Sequence, residues 1–76
     1  MESRIVTNPA VLAGKPCIRG TRISVEFILE LFASGATVDD VVKAYPALTR
    51  EDITAAAQFA AKYLRDGSIL EVEIAH

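Results

Sequence analysis

Between Ser24 and Arg65 one device occurs three times: a hydroxyl residue, an acid close behind it, an apolar stripe at helical spacing, and a stop. Ser24 precedes Val25, Ile28, Leu29 and Phe32, with Glu26 in the first turn and Gly35 placed to end the run. Thr37 and Asp40 precede Val38, Val41, Val42 and Tyr45, and Pro46 stops that run. Thr49 and Asp52 repeat the spacing ahead of Ile53, Ala56, Ala57, Ala60 and Leu64, with Arg65-Asp66-Gly67 closing it. A side-chain oxygen at the helix start accepts from an amide that the helix leaves unpaired, and a nearby carboxylate is favoured by the helix dipole. An apolar stripe at this period requires burial against another element. The pattern predicts three short helices, near 24–34, 37–45 and 49–64. Phe27 and Leu31 widen the first stripe, Phe59 and Tyr63 form a second one on the third helix, and the small alanines permit close helix approach.

The flanks read differently. Ile5-Val6 predicts a short strand, broken at Thr7-Asn8-Pro9, because Asn-Pro favours a turn. Gly14 and Pro16 punctuate the chain before a second predicted strand, Cys17 to Arg22, in which Gly20 marks a bulge or tight turn. Ile18 is expected to point one way and Cys17 and Arg19 the other. Two strands alone are marginal in water, so they must pack on the helices or pair with a second copy. From Ser68 to His76 the period changes: Leu70, Val72 and Ile74 alternate with Glu71 and Glu73, a strand pattern. The expected architecture is mainly α, three helices with a short N-terminal β-hairpin or arm and a C-terminal strand. It is a single domain, 1–76, divided into an arm (1–22), a helical body (24–65) and an acidic tail (68–76).

A chain of 76 residues buries only about 60% of its unfolded surface. At roughly 0.05–0.15 kcal/mol per residue, its stability is ~4–11 kcal/mol. With 51% hydrophobic residues and no Trp, the core must be aliphatic and rich in alanine. No apolar run approaches the ~18 residues of a membrane span, and the first residues lack the apolar region of a secretory signal. The single cysteine, Cys17, has no intrachain partner, so a cytoplasmic location is expected. The net charge of −2 hides an asymmetry. Residues 1–22 carry +3, from Arg4, Lys15, Arg19 and Arg22 against Glu2, and the remainder carries −5. A basic front and an acidic back suit two partners, or self-association.

Helix, short Gly-containing turn, helix, short turn, helix is the outline of a helix-turn-helix domain, with Thr49–Leu64 as candidate recognition helix. Arg50, Thr54 and Gln58 are the residues expected to reach base edges near its start, and Lys62 lies further along. The acidic balance, pI near 5.2, opposes strong binding by a monomer. Phosphate contacts must then come also from Lys15, Arg19 and Arg22 in the arm, and from a homodimer placing two helices about 34 Å apart. A solvated face of a simple bundle carries the same residue types, so a protein–protein interaction module without DNA binding is the alternative. Catalysis has little support. Gly14-Lys15 precedes Gly20-Thr21-Arg22 in an order that fails the phosphate-binding loop, which ends in Gly-Lys-Ser/Thr between a strand and a helix. Cys17 reads as a small semi-buried residue, and His76, the single histidine, lies at the end of the chain. One Cys and one His do not make a structural zinc site. Asp39, Asp40, Glu51 and Asp52 read as helix-start charges. No cofactor or metal is expected.

The run Gly14-Lys15-Pro16, Ile18, Gly20-Thr21-Arg22, Val25, then Gly35, Tyr45-Pro46, Leu48-Thr49, Asp52-Ile53 and Ala56 resembles the small bacterial proteins grouped as domain of unknown function 433. The likeness covers roughly residues 4–64, with Cys17 standing where an aliphatic residue is expected. It implies a homeodomain-like helical fold with an N-terminal β element, often dimeric, similar to VapB-type antitoxins of type II toxin–antitoxin pairs. Such an antitoxin binds operator DNA and blocks a PIN-like ribonuclease toxin. No catalytic residues carry over. The tail, with Leu70, Glu71, Val72, Glu73 and Ile74, suits addition as a strand to such a partner; Arg19 or Arg22 pairing with the nuclease carboxylates is another route. A frayed terminus, or pairing with Ile5-Val6, are the alternatives for the tail.

Overall fold

Each predicted cap closes in the computed structural model, which describes residues 4–65. Helix α1 spans Val25–Ala33, and Ser24 Oγ accepts from the Phe27 amide at 2.9 Å. Helix α2 spans Val38–Ala44 and α3 spans Arg50–Tyr63. Both open with a reciprocal pair of bonds. Thr37 Oγ1 accepts from the Asp40 amide at 3.1 Å while the Asp40 carboxylate accepts from the Thr37 amide at 2.9 Å. Thr49 and Asp52 make the same exchange at 3.1 and 3.0 Å. Aspartate therefore closes the box where glutamate is usual. At the end of α1, Gly35 takes φ +103°, its amide donates to Phe32 O, and the Ala36 amide donates to Leu31 O. This paired pattern satisfies the last carbonyls and turns the chain towards α2.

The core is aliphatic, as composition requires: Ile18, Val25, Ile28, Val41, Leu48, Ile53 and Ala56. Ile28 and Ala56 are completely inaccessible, and α1 and α3 form the most extensive helix–helix contact. Ala56 has no side chain beyond Cβ, so α3 approaches α1 closely there. Phe27 and Tyr45 meet edge to face, ring centres 5.6 Å apart, and tie α1 to the end of α2.

The strands β1 (Ile5–Val6) and β2 (Cys17–Ile18) pair antiparallel within the chain, Ile5 opposite Ile18 and Val6 opposite Cys17. The predicted second strand is shorter than expected. Both Cys17 and Ile18 are buried, so both faces of this short strand are covered. Its backbone is also bonded along both edges. Cys17 also bridges to Ser24, and the Val25 amide donates to Pro16 O at 2.9 Å. Residues 15–22 are thus not one extended basic ribbon. Beyond Ile18 the chain doubles back: Thr21 N donates to Ile18 O at 3.0 Å and Ile18 N to Ile23 O at 2.9 Å. Gly20, φ +82°, occupies the third position of this turn, the place where a type II turn needs positive φ. A Cβ on Gly20 would meet nothing within 4 Å, so the cost of Gly20→Ala is backbone alone, about 1 kcal/mol. A urea melt is expected to show that loss, and Gly20→Asn a smaller one, because Asn tolerates the left-handed region better.

Between the strands the chain makes a left-handed turn of one 3-10 type, Leu12–Gly14, with φ of 51°, 56° and 85° at successive residues. Two of these residues are not glycine, and each such residue costs roughly 1–2 kcal/mol relative to the right-handed form. The turn is closed by Gly14 N to Val11 O and Lys15 N to Leu12 O, both 3.1 Å.

Several stripe residues are less buried than their spacing predicts. Leu29 is 38% and Leu64 62% exposed, and Ala57 lies on the surface. Helix α3 has 14 residues against 9 in α1, and at its end Tyr63 is 65% exposed while Phe59, one turn earlier, packs against the core. The tail 68–76, with its predicted strand, lies outside the described residues.

Candidate nucleic-acid interface

The outward face of α3 carries the predicted reading residues. Arg50, Thr54 and Gln58 recur at a spacing of four, so they line one side of the helix, and Lys62 continues the row. Thr54 and Gln58 are exposed. Arg50, Glu51, Thr54, Ala55 and Gln58 form one wall of a shallow groove of about 420 Å³, and Arg4 supplies the other side. Arg4 is the residue that sequence reasoning missed. Its Nη1 donates to Asp52 Oδ1 at 3.0 Å, across 48 positions of sequence, and no local pattern announces such a pair. The Arg19 amide also donates to Arg4 O at 2.8 Å, so Arg4 is fixed at both backbone and side chain.

The pairing sets the local electrostatics. Asp52 is buried at 7% exposure yet has every oxygen occupied by a donor type it needs: the Thr49 amide on one side and Arg4 on the other. Burial raises its pKa; the Thr49 backbone, the Arg4 guanidinium and the Thr49 hydroxyl lower it, and together they win, holding the carboxyl below the ordinary 3.8. Arg50 Nη2 is paired with Asp39 Oδ1 at the start of α2. Both groups are mostly solvated, so this pair is worth only about 0–1 kcal/mol, and Arg50 can exchange Asp39 for another anion at small cost.

The arm residues lie elsewhere. Lys15 Nζ donates to Glu26 Oε1 at 2.9 Å, which raises the lysine pKa above 10.5; the pair is open to solvent. Arg19 and Arg22 are exposed on the turn that follows β2, and Arg22 lies beside Thr21 and Gly20 in a separate hollow of about 390 Å³ with Val6, Val11 and Cys17. The structure therefore unites Arg50, Thr54 and Gln58, aligns Lys62 with them, and keeps Lys15, Arg19 and Arg22 out of that groove. The predicted partner-binding residues Leu70, Glu71, Val72, Glu73 and Ile74 lie outside the described residues. Cys17 is buried and its Sγ contacts Lys15 O at 3.1 Å. Among the described residues no three potential metal ligands cluster, and no helix is long and apolar enough to cross a membrane.

These features define a small, mainly helical protein with an N-terminal two-stranded hairpin and a polar groove along its last helix. The family model described as "Protein of unknown function (DUF433)" matches residues 5–60, and the chain belongs to that family. An uncharacterized protein, y4eO, of Sinorhizobium fredii (strain NBRC 101917 / NGR234) is 34% identical over 56 residues, which is 74% of this chain and 25% of that protein. The crystal structure of a DUF433 member protein from Anabaena variabilis ATCC 29413 superimposes with a TM-score of 0.80 at 31% identity, covering 84% of this chain and 63% of that one. The chain thus spans about a quarter of the curated relative's length.

Proposed function

We propose that this protein is an antitoxin-like DNA-binding protein of a type II toxin–antitoxin pair, acting as a dimer on operator DNA and inhibiting a PIN-like ribonuclease. The observation that carries the DNA half is the groove on α3. A helix N-terminal half presenting Arg50, Thr54 and Gln58 side by side has the donor and acceptor types that read base edges. Arg4, braced against the same helix, extends the cationic surface towards a phosphate backbone. Lys62 and the exposed Arg19 and Arg22 supply further cations, and a second copy doubles them. The ribonuclease half rests on the family likeness and on the alternating tail, whose Leu70, Val72 and Ile74 suit strand addition to a partner.

A gel-shift titration with the protein's own promoter fragment at low salt tests the DNA half. Binding is expected to weaken at least tenfold in Arg50→Ala with Lys62→Ala, and the slope of log K against log salt is expected to flatten by about 2. An unshifted fragment, or a variant with the parent's salt slope, sinks it. The second reading, an interaction module without DNA binding, is favoured by one observation: Arg50 is already paired with Asp39. Under that reading the double variant still co-purifies with the product of the adjacent gene and no DNA shift occurs in either protein.

A further inference from the structure

Arg4 and Arg50 both line the polar groove, and each meets a carboxylate of the chain. The two pairs differ in what holds them. Asp52, the partner of Arg4, has a side chain only 10% exposed and also accepts from the Thr49 amide in the cap of α3. Moving Arg4 away would strip a nearly buried carboxylate of its cation, so that pair is a fixed part of the wall. Asp39, the partner of Arg50, has a side chain 76% exposed, and that of Arg50 is 62% exposed. Water reaches both groups and solvates them when they separate, so this pair exchanges easily. Asp39 also has no part in closing α2, whose capping box is made by Thr37 and Asp40.

We propose that Asp39 is an internal competitor for the ligand of the groove: in the free protein its carboxylate occupies Arg50 in the place of a nucleic-acid phosphate, and binding exchanges one anion for the other. The inference rests on the DNA-binding reading above and adds to it the residue that sets how tightly the groove holds phosphate. A carboxylate and a phosphate offer a guanidinium the same thing, charged oxygens that accept its N–H groups. Arg50 stands at one end of the row that Thr54 and Gln58 continue, so a backbone laid along the groove meets it. Taking Arg50 from Asp39 then costs the binding reaction whatever the pair contributes to the free protein. The fixed Arg4–Asp52 pair imposes no such exchange, because Arg4 keeps its partner whether or not the groove is filled. Of the two acids that meet groove arginines, Asp39 is therefore the one whose removal strengthens binding and leaves the fold in place.

The test is a gel-shift titration of the full-length chain at low salt, with its own promoter fragment and separately with a random-sequence duplex. Asp39→Asn removes the charge, keeps the shape and leaves the capping box of α2 untouched. It is expected to tighten binding to both duplexes roughly two- to fivefold, and the gain is expected to shrink as added salt screens the pair. In an Arg50→Ala background the same substitution is expected to lose most of its effect, because the competitor then has no arginine to occupy. An equal gain with and without Arg50 would reduce the effect to net charge and overturn the proposal. Unchanged binding in Asp39→Asn would overturn it, and so would weaker binding, which would make Asp39 a support that holds Arg50 in place for the ligand. Arg50→Ala alone separates these failures from failure of the DNA reading. If the parent shifts the fragment and Arg50→Ala weakens the shift, the groove binds DNA and only the role of Asp39 is lost. If neither the parent nor Asp39→Asn shifts either duplex, the DNA reading falls and the competitor falls with it.

Discussion

Ile28→Ala is expected to lower the free energy of unfolding by about 3 kcal/mol. Ile28 is wholly inaccessible and lies within the cluster that α1, α2, α3 and β2 share through Val25, Val41, Ile53 and Ile18. Truncation leaves a void that four elements border, and none can close it without disturbing the others. A domain of this length has only about 4–11 kcal/mol to lose. A urea melt is expected to show a midpoint shifted far towards water with the slope retained. Leu29→Ala, the neighbouring residue, is 38% exposed and is expected to cost under about 1 kcal/mol. Equal losses from the two substitutions would contradict the assignment of the core.

Asp52→Ala is expected to cost about 2–3 kcal/mol, since it removes the reciprocal cap of α3 and the partner of Arg4 in one change. The loss of Arg4→Ala is expected to be smaller, because the cap survives. Measured in a double-mutant cycle, the two are expected to be non-additive, as they share one contact. The same carboxylate gives the domain an acid limb. Its folded pKa lies below the unfolded value of 3.8, so the folded state binds the proton less readily. The stability Asp52 contributes is fully present above 3.8 and is lost as pH falls through the lower folded value. Asp52→Asn is expected to flatten the stability profile below pH 3.8; an unchanged acid limb would show that other carboxylates set it.

Local chemistry was readable where it acts locally. Ser24, Thr37, Thr49, Gly35 and Pro46 each do their work within four residues, and all bound helices in the structure where their spacing predicts. Gly20 was legible as a turn for the same reason. The Leu12–Gly14 turn was not, because nothing about Leu or Ala signals the positive φ they adopt. Arg4 was invisible because its partner is supplied by folding, not by proximity in sequence. The Phe59 and Tyr63 stripe was legible from its spacing, but how far other elements cover it was not: Phe59 packs against the core and Tyr63 is 65% exposed. Of the site, the row Arg50, Thr54, Gln58 was legible from period, and its pairing with Asp39 was not.

The tether from Arg4 to Asp52 has a practical consequence for handling the protein. Arg4 lines the polar groove together with Arg50, so anything fused at the start of the chain is joined within a few residues of a groove wall. An affinity handle placed there would sit over the surface that a nucleic-acid assay is meant to probe, and an acidic epitope would mimic the very ligand being sought. A cleavable handle would leave that surface uncovered.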